Sequence, residues 1–281
     1  MILVTGASGQ LGRLVIDSLL EKTAASNIVA AVRSPEKVAD LAEKGVQVHQ
    51  ADYTDQDSLV AAMQGVEKVL LISSSEVGQR TAQHNNIINA AKQAGVSLIA
   101  YTSILKADTS PLILAEEHVA TEKLLAESGV PHVLLRNGWY SENYTMSVAT
   151  ALEYGVVGCA GDGKLATASR ADFAAAAAAV LVNDGQAGKV YELAGDNAFT
   201  LSEYAAAISK VTGKTVAYQN VPEAEFTKIL VGAGLPEGFA AILADSEAGA
   251  SKGGLFSESK DLSTLIGRPT TPIEDSIKAA L

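Results

Sequence analysis

Three glycines at three-residue spacing, Gly6, Gly9 and Gly12, separate an apolar run, Ile2-Leu3-Val4-Thr5, from an amphipathic one carrying Leu11, Leu14, Val15 and Leu19. The short apolar run before the glycines and the helical spacing after them predict a strand, a tight turn and a helix. Each glycine then has a reason. Gly6 turns the chain off the strand, Gly9 admits a pyrophosphate close to the backbone, and Gly12 lets the helix lie near the sheet with its N-terminal amides facing phosphate. Gly6, Ala7, Ser8, Gly9, Gln10 and Leu11 are therefore expected to bind a dinucleotide.

The spacing differs from the G-x-G-x-x-G fingerprint of many dehydrogenases, and the end of the second strand, Asn27 to Arg33, then becomes informative. NAD enzymes commonly place an acid there for the ribose hydroxyls, whereas a cation suits the 2′-phosphate of NADP. This strand has no acid and ends on Arg33, whose guanidinium can grip a phosphate through two parallel hydrogen bonds. NADPH is the expected cofactor. The competing reading makes Arg33 a solvated cation beside a helix start at Ser34-Pro35-Glu36.

Strand-like segments at 47–51, 68–72, 98–101, 132–136 and 189–193 alternate with helical ones at 58–64, 83–94, 115–127 and 171–182. That alternation predicts an α/β fold: an extended Rossmann-type, doubly wound parallel sheet with a smaller C-terminal substrate lobe. Residues 1–138 and 168–195 are assigned to the NADP-binding domain, and 139–167 with 196–281 to the smaller lobe. Ligand-binding residues belong at the carboxyl ends of the strands. Asp52, after the third strand, is placed to accept from the adenine amino group, or else is a helix-entry acid. Ser73, Ser74 and Ser75 offer hydroxyls and amides to ribose or pyrophosphate, or cap a loop. Asn137 and Gly138 follow the sixth strand and suit the nicotinamide carboxamide, while Trp139 and Tyr140 would wall the redox pocket or pack between lobes.

A chain of 281 residues with 48% hydrophobic composition can bury a full α/β core. Its net charge of −11 and lack of a basic run disfavour a nucleic-acid surface. No charged leader precedes Ile2, and no apolar stretch reaches membrane-spanning length, so a cytoplasmic protein without membrane attachment is expected. Cys159 is the single cysteine, and His49, His84, His118 and His132 show no ligand spacing, so no metal site is expected. A homo-oligomer is left open.

Gly6 to Leu11, Val32-Arg33, Gln50-Ala51-Asp52-Tyr53, the run Leu70 to Arg80 (LLISSSEVGQR), Ala100-Tyr101-Thr102-Ser103 and the run Leu134 to Tyr144 (LLRNGWYSENY) together resemble the NmrA-like atypical short-chain dehydrogenases/reductases. The serine-glutamate run, Arg136 to Tyr140 and the late Gly249 to Phe256 resemble its bacterial quinone-reducing branch, with dye reductases nearby. The resemblance implies an NADPH-dependent quinone oxidoreductase that moves hydride directly to a small quinone. The alternatives are reduction of a triphenylmethane dye and a non-catalytic NADP(H) redox sensor. Many short-chain dehydrogenases use a Tyr-x-x-x-Lys pair for proton supply. Leu114 and His118 stand at those two places here, so the pair is absent. A ketone reductase would need that donor. A quinone yields a delocalised anion that water protonates, leaving His118 as a candidate proton donor or ribose contact.

Overall fold

A computed structural model describes residues 1–281 and divides them into two compact units. The first comprises 1–104, 117–137 and 170–191; the second comprises 105–116, 138–169 and 192–281. In chain order the strands are β1 (Ile2–Val4), β2 (Ile28–Val32), β3 (Gln47–Gln50), β4 (Lys68–Leu71), β5 (Leu98–Ile104), β6 (His132–Asn137), β7 (Val156–Gly158), β8 (Val190–Leu193) and β9 (Tyr218–Asn220). The helices used below are α1 (Gln10–Leu20), α2 (Gln56–Ala62), α3 (Arg80–Ala94), α4 (Ala115–Ser128), α5 (Arg170–Val182), α6 (Leu201–Thr212) and α7 (Glu237–Ala250).

The first unit is built on a seven-stranded sheet in the order β3-β2-β1-β4-β5-β6-β8. Strands β1 to β6 pair in parallel, with registers such as Leu3 opposite Val29 and Val69. The central strands β1, β2 and β5 are buried along their whole length, and β1 and β2 accordingly read as continuous apolar runs rather than alternating ones. Helix α1 turns Leu11, Gly12, Val15, Ile16 and Leu19 inward, and packs against α5. Small side chains make that contact close: Ala174, Ala176, Ala177 and Ala178 of α5 are all buried. Two helices begin earlier than the sequence spacing suggests. Asp55 accepts from the N–H groups of Asp57 and Ser58, which starts α2 at Gln56, and α3 starts at Arg80.

The second unit carries the two-stranded parallel sheet β7-β9 and a set of shorter helices. Helix α6 opens with a capping box in which Thr200 and Glu203 satisfy each other's backbone N–H groups. Its Tyr204 lies in an aromatic cluster with Phe199 and Tyr144, ring centroids 5.8 to 6.5 Å apart. Residues 105–116 join this unit because Pro111 and Leu112 fill the space left by two glycines. A Cβ at Gly249 or Gly254 would stand 2.7 or 2.5 Å from Leu112 Cδ1. No helix is long and apolar enough to cross a membrane.

Candidate active site

The carboxyl ends of β1, β2 and β4 open onto a cleft of about 460 Å3 in the first unit. Thr5 ties the end of β1 to β4 and to the segment after β3: its hydroxyl donates to Leu70 O, and accepts from the Ile72 N–H and from the Tyr53 hydroxyl at 2.7 Å. Gly6 then turns with φ +59°, a left-handed conformation that a side chain would strain. Gly12 serves a different need from φ. A Cβ there would lie 2.4 Å from Gly6 O and 2.8 Å from Ala7 Cα, so only glycine lets α1 start directly on the turn. Gly9 is the N-cap of α1 and supplies no side-chain hydrogen bond, and the first turn contains no acid. The helix therefore presents uncapped N–H groups and the positive end of its dipole beside the cleft.

Gly6, Ser8, Gly9, Gln10, Leu11, Arg33, Asp52, Ser73, Ser74 and Ser75 all line this one cleft. Ala7 is fully buried beneath it, its N–H donating to Ala31 O. Arg33 leaves β2 with its side chain 69% exposed and pairs with Glu76 Oε1 at 3.4 Å. Asp52 Oδ1 accepts from the Thr54 N–H and hydroxyl, both at 2.8 Å, and these bonds hold its carboxyl below the usual range. Glu76, Gln83 and Arg170 also line the cleft and were not singled out in the sequence. Glu76 lay inside the quoted serine-glutamate run. Gln83 and Arg170 sit on helices with no local motif around them.

Behind the serine loop lies a buried polar chain. The Ser74 N–H donates to His84 Nε2 at 2.9 Å, which puts the His84 proton on Nδ1, bonded to Thr121 Oγ1 at 2.9 Å. Arg80 donates to Ser74 O through Nε, and its Nη1 lies 3.5 Å from His118 Nε2. A guanidinium accepts nothing, so the His118 proton is on Nδ1, 2.7 Å from the Tyr101 hydroxyl oxygen. Burial first, and the charge of Arg80 second, push both imidazoles down to about 3. His118 is thus a neutral ring inside the first unit at any working pH. Burial likewise pushes Tyr101 up, so its hydroxyl stays protonated.

Asn137 ends β6 buried, and its Oδ1 has no partner. Gly138, Trp139 and Tyr140 belong to the second unit and are half-buried there. Gly138 donates to Leu193 O at 2.7 Å and has no room for a side chain, since a Cβ would stand 2.9 Å from that oxygen. Trp139 O accepts from the Ala168 N–H, and Tyr140 bridges to the same residue.

A phosphorylated dinucleotide fits what the first unit provides. The uncapped α1 terminus and the glycine turn suit a pyrophosphate, and Arg33 suits a further phosphate, with no acid along β2 to oppose it. Two buried acceptors, Gln83 Oε1 and Asn137 Oδ1, have no donor within the protein. An acceptor left so costs stability unless a ligand supplies the donor.

Comparison with known proteins agrees over the whole length. The model of the NmrA-like family matches residues 1–277. Quinone oxidoreductase 2 of Escherichia coli (strain K12) is 62% identical over 278 residues, covering 99% of this chain and 97% of that protein. The crystal structure of an NADPH-dependent quinone oxidoreductase complexed with NADPH from Escherichia coli superposes with a TM-score of 0.97 at 60% identity, covering 99% of each chain. The Citrobacter sp. triphenylmethane reductase complexed with NADP(H) superposes with a TM-score of 0.96 at 41% identity, covering 100% of each chain.

Proposed function

The chain belongs to the NmrA-like family, and we propose that within it the protein is an NADPH-dependent quinone oxidoreductase acting by direct hydride transfer to a small quinone. The observation that carries the cofactor reading is the pairing, on one cleft, of an uncapped helix N-terminus with Arg33 and an acid-free β2. Identity of 62% along the full chain supports the quinone as acceptor.

The chain's residues divide the work. Amides of Gly9 to Leu11 at the start of α1 hold the pyrophosphate, and Arg33 pairs with the 2′-phosphate. Asp52 accepts from the adenine amino group, and Ser73 to Ser75 face the ribose and phosphates. Asn137 Oδ1 takes the carboxamide donor that its buried position lacks. NADPH, when bound, supplies the hydride. No residue need protonate the product in the same step, because hydride addition to a quinone leaves a delocalised oxyanion that water protonates. His118 stands behind the serine loop, against Arg80, which in turn holds Ser74 O, and the His118→Ala variant keeps measurable quinone turnover. Abolished turnover with intact cofactor affinity would make it the proton donor instead.

The decisive measurement is single-turnover quinone reduction with NADPH deuterated at the transferred position. A primary isotope effect in protein free of flavin is expected. A flavin requirement defeats direct transfer, and NADPH binding without oxidation by any acceptor favours a sensor. The burst phase must be resolved, because closure or product release can mask chemistry. A cationic triphenylmethane dye belongs in the acceptor panel, since the 41% identical reductase covers the same whole chain.

A further inference from the structure

The acid missing from β2 is supplied from elsewhere. Glu76 lies in the loop after β4, 43 residues beyond Arg33, and its Oε1 pairs with the Arg33 guanidinium at 3.4 Å on the wall of the cleft. Three contacts fix it there. Its backbone N–H donates to Ser74 Oγ at 3.1 Å, its Oε2 accepts from Gln83 Nε2 at 2.9 Å, and Arg33 takes the other oxygen. Gln83 is 5% exposed, and giving its NH2 to Glu76 leaves its own Oε1 buried without a partner. A buried amide committed in that way marks a placed carboxylate rather than a passing surface contact, because the unpaired oxygen is destabilising.

We propose that Glu76 is a specificity-determining residue of this site, an anion that opposes the 2′-phosphate of NADPH at Arg33 and so restrains the preference for NADPH over NADH. This rests on the reading of the cleft as the NADPH site. The guanidinium prefers a phosphate it can grip with parallel bonds. Whether the phosphate displaces the carboxylate or shares the guanidinium with it, two anions then stand beside one cation. With NADH there is no phosphate, the Arg33–Glu76 pair persists, and the carboxylate opposes nothing.

The test is titration of the full-length protein with NADPH and with NADH, following cofactor fluorescence. Glu76→Gln keeps the shape and an acceptor for Gln83 while removing the charge. It is expected to tighten NADPH about threefold at low salt, the size of an exposed charge interaction, with a smaller gain at high salt. NADH affinity stays unchanged or falls, so the NADPH to NADH ratio widens. In an Arg33→Ala background the gain from Glu76→Gln shrinks, because the shared cation is gone. Unchanged or weakened NADPH binding in Glu76→Gln overturns the proposal, as does equal tightening of both cofactors. The underlying site reading fails separately: Arg33→Ala would then leave the NADPH to NADH ratio as it is in the unaltered protein.

Discussion

Burial acts on ionisable groups in both units, yet it ties them to pH in opposite senses. In the first unit His84 and His118 are pushed down to about 3, and both rings are hydrogen-bonded as neutral imidazoles. A buried ion pair there is met on both oxygens: Arg136 meets Glu122 at 2.8 and 3.0 Å, and Ser103 adds a third bond at 2.6 Å. In the second unit Glu247 is also buried, but its Oε2 accepts from the Cys159 N–H at 2.7 Å and no cation is paired with it. Burial pushes that carboxyl up to about 7. The first unit thus keeps its buried charge by pairing it, and the second lowers the cost by letting its acid stay protonated.

The largest effect that separates these two solutions is removal of the anion. Glu122→Ala removes the two charge-assisted bonds it makes with Arg136, which is 10% exposed, and should destabilise the first unit by about 3 kcal/mol. Glu247→Gln retains an acceptor for the Cys159 N–H and replaces a group already half neutral at pH 7, so it should cost less than about 1 kcal/mol. Chemical denaturation of both variants checks this, and equal losses would break the distinction.

Acid gives the next effect. An unfolded histidine takes a proton below about 6.5, whereas the folded His84 and His118 decline it until about 3. Their contribution to stability is therefore full above 6.5 and falls with pH below it. Glu247 runs the other way: unfolded it ionises above about 4.5, folded only above about 7, so stability is lost as pH rises through that window. From pH 7 to 5 each histidine should cost about 2 kcal/mol, while Glu247 returns about 2 kcal/mol. Amide hydrogen exchange at the two pH values should show α3 and α4 less protected at pH 5 and α7 more protected. A parallel change in both units would refute the opposed linkage.

The smallest effect concerns orphaned hydroxyls. Tyr204 and Tyr144 of the second unit have buried Oη atoms with no partner, inside an aromatic cluster. Tyr204→Phe should leave stability unchanged or raise it by about 1 kcal/mol. Gln83, an orphan acceptor of the first unit, differs in meaning because it lines the cleft. On the proposed role of Asn137 at the carboxamide, Asn137→Leu should weaken NADPH and spare the fold. A melting point lowered by Tyr204→Phe would show that the hydroxyl does have a partner.

Local pattern determined much of the first unit. The turn at Gly6, Gly9 and Gly12, the strands β1 to β6 and the helices between them follow from residue pattern and the steric needs of glycine, which act over a few residues. The placement of Arg33, Asp52 and Ser73 to Ser75 on one wall also follows, because parallel strands deliver their carboxyl ends to one edge of the sheet. Only the tertiary structure decided the rest. Glu76 meets Arg33, and His84 meets Ser74, across separations and orientations that no local period encodes. The same is true of residues 105–116, whose Pro111 and Leu112 pack where Gly249 and Gly254 lack side chains. Such pairings depend on which surfaces have room for one another, and that is settled only when distant segments are packed together.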